Sequence, residues 1–251
     1  MKYCVIALLG IVGLLLAEGE EGAAPDPGRL LSDLSVANAS KDTLKIASLT
    51  GPIAEAGKTS KDQASLDALA AELHTSLKLC KGNWGTLGKI VDAMGELHSK
   101  KTLSTLKRIA YKKKTKNADE ENLQAKAIDA IAKLRDSRQI KPLGELTKNR
   151  TLAVAKAAYK AFRHYGTEKG RVRRNIAELL MKRIEMEYPS SGGQRSTNVS
   201  EEKQKRWGQV SPVIVASLQA ICRQPTINDI DNWREWWREN KKNPRAWRDK
   251  T

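Results

Sequence analysis

The sequence predicts an all-α fold, in which antiparallel helix pairs stack into a short array closed by a tryptophan-rich helix. Three observations carry this expectation. Ala, Leu, Lys and Glu dominate the middle of the chain, only one Phe is present, and no segment shows the period-two alternation of β-branched residues that marks a strand. Residues 89–109 and 126–146 align without a gap and agree at apolar positions of helical spacing. Four of the six tryptophans fall within residues 231–247.

In chain order, Lys2 precedes an apolar run from Tyr3 to Leu16, and Ala17 then meets an acidic stretch. A short positive region, a short apolar core and a small-residue exit form a secretory signal peptide over residues 1–17. The run is shorter than the roughly 20 residues a bilayer span needs, so no membrane span is expected after cleavage. The mature protein is expected to be exported, either periplasmic or secreted. Residues 18–38, which open "EGEEGAAPDPG", are acidic and rich in Gly and Pro at their start and read as a flexible lead.

Cys4 leaves with the signal, so Cys80 and Cys222 remain. They either pair in an oxidising compartment or sit as buried free thiols among Leu77, Leu79 and Ile221. In neither case do two cysteines make a disulfide framework, so stability must come from a packed core.

The repeats occupy the span expected for the array, residues 39–188. "KIVDAMGELHSKKTLSTLKRI" (89–109) and "KAIDAIAKLRDSRQIKPLGEL" (126–146) share Lys89 with Lys126, Asp92 with Asp129, Ala93 with Ala130, Leu97 with Leu134 and Leu106 with Leu143. Apolar character also agrees at Val91 and Ile128, Met94 and Ile131, Leu103 and Ile140, and Ile109 and Leu146. A third copy starts at Val154, where Ala155-Lys156-Ala157 matches Ala125-Lys126-Ala127. Each copy gives an apolar three-four pattern, a polar break and a second such pattern. One helix pair cannot bury both of its faces, so stacked copies share a continuous core.

Residues 123–166 resemble the HEAT repeat of the short bacterial type, whose second helix is matched by Asp136, Ile140, Pro142, Leu143, Glu145, Leu146 and Lys148. The resemblance implies a short right-handed α-solenoid that binds a protein partner and needs no cofactor. It assigns close helix contacts to Ala127, Ala130, Ala157 and Ala161, and core filling to Leu134, Leu143 and Leu146. Pro142 suits a first helical turn, where its missing donor costs nothing. The Asp–Arg ladder common in such arrays is replaced by Asn149 with Gln124 or Ala155, so a compact, irregular array of four or five pairs is expected.

Residues 189–200 read as a flexible loop, and residues 201–251 as a helical C-terminal cap. Ser200 is a candidate N-cap, and Pro212 is expected to break or kink the helix that follows. Further on, Ile230, Trp233, Trp236 and Trp237 share one side of a short helix, with Thr226, Asn228 and Asp229 as cap candidates. Residues 218–241 resemble the tail of exported bacterial HEAT-like proteins, in which a W-x-x-W-W helix follows the last repeat. The tryptophans either close an exposed array end or stack on sugars or bases. Trp247 lies beyond Pro244 and off this spacing, which leaves it as a separate candidate contact.

The formal net charge is +16, from 45 basic and 29 acidic side chains, and it favours anionic partners. No acid occurs between Glu96 and Asp119, whereas Lys100, Lys101, Lys107, Arg108, Lys112, Lys113, Lys114 and Lys116 do. With Leu103, Leu106, Ile109 and Ala110 facing inward, these cations project as a patch. Arg163, Lys169, Arg171, Arg173 and Arg174 form a second basic set. Such sets either bind an anionic polymer, nucleic acid or envelope polysaccharide, with steep salt dependence, or simply solvate helix faces.

Other motifs carry little. Gly51 stands one residue too far from Gly57-Lys58-Thr59 for a phosphate loop, and a helix end is expected at Gly57 instead. In "GNWGTLGKI", Ile90 stands where a hydroxyl should hold magnesium. His74, His98 and His164 lie apart, as single polar residues at helix ends, and no metal site is expected from them. No nucleophile motif points to catalysis, and no small-molecule substrate is evident. Asn38, Asn149 and Asn198 head glycosylation triplets.

Overall fold

The computed structural model describes residues 24–188 and 201–249, and among these it holds eleven α-helices and no strand. The segment expected as a signal peptide, the candidate N-cap Ser200 and the stretch 189–200 expected as a loop lie outside the described residues. The helices are α1 (Pro27–Ala39), α2 (Thr43–Thr59), α3 (Gln63–Leu79), α4 (Trp84–Glu96), α5 (Leu103–Ala110), α6 (Ala118–Lys133), α7 (Ile140–Leu146), α8 (Leu152–Ala161), α9 (Gly170–Glu187), α10 (Glu201–Cys222) and α11 (Ile230–Asn240). None of them is long and apolar enough to cross a membrane.

Side-chain caps start most of these helices. Asp26, Asp42, Asp62, Asn83, Asn117 and Asp229 each accept from backbone N–H groups of the first turn of α1, α2, α3, α4, α6 and α11. Each cap satisfies donors that have no partner within the helix. Two helix ends repeat the same backbone device. His98 after α4 and Arg135 after α6 both take left-handed backbone angles, with φ of 48° and 50°. These two positions are equivalent in the repeat alignment, so the turn geometry recurs along with the apolar pattern.

The packing is serial. α2 lies on α4, α4 on α6, α6 on α8 and α8 on α10, while α1 packs on α2 and α3, α5 on α6, and α9 on α10. A single hydrophobic core runs from Leu30 to Trp247. Of the alanines expected at close helix contacts, Ala127, Ala130 and Ala161 are buried, as is Ala93, whereas Ala157 is only partly buried and lines a cleft on the surface. Small side chains let helix axes approach closely.

Several local expectations are corrected. The stretch expected as a flexible lead holds α1 from Pro27, because Leu30, Leu34 and Ala37 find a buried face against α2 and α3. α2 does not end at Gly57 but continues to Thr59, and Gly57 is buried where a Cβ would stand 2.5 Å from the Glu96 carbonyl oxygen on α4. α10 runs unbroken through Pro212, which is exposed, so the carbonyl it leaves unbonded one turn earlier can be hydrated. Val210, Ile214 and Leu218 meanwhile hold the buried face of the same helix on both sides of the proline. His74 lies inside α3 rather than at a helix end.

Candidate interaction surface

The basic segment is built as the alternation of apolar and charged residues implies. In α5, Leu106 and Ala110 are buried, Leu103 and Ile109 are partly so, and Arg108 is exposed. The turn of Lys100–Thr102 leads into it, anchored by the Ser99 hydroxyl, which donates to Asp67 Oδ1 at 2.5 Å. Beyond the helix, Gln124 Nε2 donates to the carbonyls of Ala110 and Lys112 at 2.8 and 2.9 Å and so fixes the path of the lysine-rich loop.

Not all of these cations are available. Lys112 Nζ pairs with Glu120 Oε2 at 2.7 Å, and the Lys116 backbone N–H donates to the same oxygen at 2.9 Å. The Lys112 hydrogen bond, with the Lys116 contact, holds the Glu120 carboxyl below its ordinary range. Lys100, Lys101, Arg108, Lys113, Lys114 and Lys116 are exposed, with no side-chain ion pair among the described residues; Lys107 is partly buried.

The second basic set divides. Lys169, Arg171 and Arg174 are exposed. Arg173 does not join a surface patch: it is 1 % exposed, and its guanidinium donates to the carbonyls of Glu168, Ile221, Trp247 and Arg248. Its Nε and amino groups face inward from α9 because α10 and the C-terminal segment supply carbonyls there. The Nε of Arg163 is buried without a hydrogen-bond partner among the described residues.

A different charged feature crosses the helices on the α2–α8 side. Lys126 on α6 pairs with Asp92 on α4. Lys133 reaches Glu96 Oε1 at 2.6 Å and Asp129 Oδ2 at 3.3 Å, and His164 Nε2 lies 2.9 Å from Asp129 Oδ1. Burial pushes the Asp129 carboxyl up, but the hydrogen bond from His164 and the charges of His164 and Lys133 hold it below its usual range. Spacing alone did not reveal this ladder, although the shared Asp92/Asp129 and Lys89/Lys126 pairs of the repeat were its signal. Shallow clefts flank the ladder. One is lined by Ala47, Gly51, Ala54, Lys89 and Asp92, the other by Asp92, Ala125, Lys126, Ala157 and Lys160. Lys126 and Lys133 on this face are paired with carboxylates, whereas Lys89 and Lys160 have no ion pair among the described residues.

The remaining candidates are structural. His74 Nδ1 lies 2.8 Å from the Thr105 hydroxyl, and burial, with Lys78 and Arg108 nearby, lowers its pKa. Among the described residues, no three His, Cys, Asp or Glu side chains converge as metal ligands would. Cys80 and Cys222 are buried and unpaired, and burial pushes both thiols up. Asn38 is buried and donates to the Glu72 carbonyl at 3.1 Å, which makes it a packing residue rather than an exposed acceptor for a glycan.

The tryptophans form one cluster. Trp233 is wholly buried, and its indole N–H donates to the Ile227 carbonyl at 3.1 Å. Trp236 and Trp237 are partly buried. Trp247, expected as a separate contact, is 7 % exposed and donates to the Asn240 carbonyl at 3.0 Å. The turn of Pro244–Trp247 folds back and places this ring edge-on to Trp236 and Trp237, with centroids 5.8 and 6.2 Å apart. Helical spacing could not show this, because the return follows from the turn and not from α11.

No protein-family model matches the chain, and neither a curated protein nor a solved structure matches it.

Proposed function

We propose that the protein is a non-enzymatic, exported helical-repeat scaffold of the HEAT-like α-solenoid type that binds a protein partner. The observation that carries this reading is the serial packing of α2, α4, α6, α8 and α10, each on the next. Serial packing of this kind is what stacked helix pairs give, and a stack of pairs suits extended macromolecular contact. The α2–α8 face presents small side chains between charges of both signs, with Lys126 and Lys133 paired to carboxylates, which suits a partner surface of mixed charge more than a polyanion. Export rests on the apolar run of residues 3–16 behind Lys2. The tryptophan helix α11 serves as the array's closing element, with Trp233 in the core and Arg234, Glu235, Arg238 and Glu239 on its outer side.

A second reading is favoured by one specific observation, the exposed and unpaired cations at Lys113, Lys114 and Lys116. On that reading the protein binds an anionic polymer through the 100–116 segment, together with Arg171 and Arg174. Two variants separate the readings. Ala47→Arg/Ala157→Arg fills the clefts of the α2–α8 face, and Lys113→Glu/Lys114→Glu reverses the patch. Loss of a stoichiometric protein partner in the first variant alone supports the scaffold. Loss in the second alone, with binding that falls steeply as salt rises, supports the polymer binder.

A further inference from the structure

A cleft of about 340 Å³ lies between α9 and the C-terminal end of α11; it shares no residue with the α2–α8 clefts or the 100–116 segment, and only Arg174 with the second basic set. One wall is a single face of α9 carrying Arg174, Glu178, Lys182 and Glu185, and the other carries Trp237, Lys241 and Lys242. Four cations thus face two carboxylates. Lys182 is held by Glu178 at 2.8 Å, whereas Arg174, Lys241 and Lys242 have no ion pair among the described residues. The Lys182 hydrogen bond, with the charges of Lys182 and Arg174, holds Glu178 ionised below its ordinary range. Glu178 is therefore an acceptor only, with no proton to donate.

Trp237 adds the second element. Its ring is braced edge-on by Trp247 at 6.2 Å, so it is fixed by the cluster while remaining partly exposed in the cleft. The indole N–H groups of Trp233 and Trp247 are satisfied by backbone carbonyls. That of Trp237 has no acceptor among the described residues. A braced aromatic wall, a free N–H donor, a carboxylate acceptor held at Glu178 and unpaired cations together suit a ligand with several complementary groups. It should have an apolar C–H face, hydroxyl donors and negative charge.

We propose that this cleft binds an acidic saccharide, a sugar chain bearing carboxylate or sulfate groups. A pyranose ring lays its C–H face against the indole, whose π face is negative. Its hydroxyls donate to Glu178 and Glu185, and its anionic group takes charge-assisted hydrogen bonds from Lys241, Lys242 or Arg174. The volume suits one or two sugar rings at a time, within the range of small-ligand clefts. The α2–α8 face and the 100–116 cations take no part, so the site stands or falls independently of the scaffold reading.

The test uses the full mature chain and an oligogalacturonate of six residues as the probe. The neutral oligosaccharide of equal length and a single-stranded oligonucleotide serve as comparisons. Binding is read by calorimetry and by the indole N–H resonance of Trp237 in a nitrogen-labelled sample. The oligouronate is expected to bind and shift that resonance, with at least about ten-fold weaker binding by the neutral sugar and by Lys241→Glu/Lys242→Glu, which loses charge-assisted contacts. These lysines are exposed, so the double variant is expected to keep the wild-type melting temperature. The proposal is overturned if the oligouronate does not bind, if the neutral sugar binds equally well, or if the double variant binds unchanged. It is equally overturned if Lys113→Glu/Lys114→Glu abolishes binding instead, or if the oligonucleotide binds more tightly and shifts the same resonance.

Discussion

The guanidinium of Arg173 donates to the Trp247 carbonyl at 3.3 Å, joining α9 to the last turn of the chain 74 residues away. The same group donates to the Ile221 carbonyl at 3.1 Å and the Glu168 carbonyl at 2.9 Å, so one side chain ties α9, α10 and the C-terminal turn together. Burial lowers its pKa, yet the surrounding carbonyls and Asp249 keep the cation solvated by protein dipoles. Gly170, one turn earlier, completes the contact, because a Cβ there would meet the Trp247 carbonyl oxygen at 1.8 Å.

Arg173→Ala would leave several buried carbonyls without donors. It is expected to destabilise the fold by about 3 kcal/mol, a cost typical of breaking a buried charged network. Arg173→Lys is not expected to restore stability, since a single ammonium cannot reach acceptors that diverge as a guanidinium fork does. Thermal unfolding followed by circular dichroism checks both, with quenching of tryptophan fluorescence reporting whether the Trp247 turn has detached.

Gly57→Ala offers a test by sign. In an exposed helix this change stabilises by roughly 0.5–1 kcal/mol through lost chain entropy. Here the new methyl would collide with the α4 backbone at Glu96. The expected outcome is a destabilisation of about 1–3 kcal/mol, in line with overpacking of a tight helix crossing. Denaturant titration of the two proteins settles the sign.

Acid sensitivity is expected to centre on Asp136. It starts the turn before α7, where its carboxylate accepts from Arg138 Nε at 2.9 and 3.1 Å, from the Arg138 backbone N–H at 3.1 Å and from Gln139 at 3.2 Å. The Arg138 side-chain hydrogen bond is the main cause of its pKa falling from 3.8 to about 2. A carboxylate depressed on folding contributes stability that is fully present above the unfolded pKa and is lost as pH falls through the folded one. Stability contributed by this group, of order 1 kcal/mol, should therefore disappear between about pH 4 and pH 2. Asp136→Asn is expected to be less stable than wild type at pH 6 and to lose that part of the acid dependence.

Much of the helical order was legible in the sequence. Asp92 with Asp129 and Leu106 with Leu143 set the repeat, and Ala127, Ala130 and Ala161 are buried as small residues at helical spacing suggest, whereas Ala157 stays partly exposed in a cleft. What escaped the sequence depends on distant partners. Arg173 looks like one more surface cation until α10 and the C-terminal turn bring carbonyls to it. Trp247 looks solitary until Pro244–Trp247 turns back onto α11. α1 was hidden because an acidic, Gly- and Pro-rich start masks the later run of Leu30, Leu34 and Ala37. The candidate surfaces follow the same rule: exposure of Lys113 and Lys114 was readable from local pattern, whereas the neutralising Glu120–Lys112 pair and the α9–α11 cleft required the fold.

Binding by the α2–α8 face is tested most directly by affinity capture with the chain from residue 18 onward, run at low and high salt beside the Ala47→Arg/Ala157→Arg variant. The expected result is a protein recovered in stoichiometric amount by wild type at both salt concentrations and lost with the variant, while the variant keeps its helical signal and melting temperature. Recovery of the same partner by the variant, or capture only of polyanions that vanish at high salt, would contradict it.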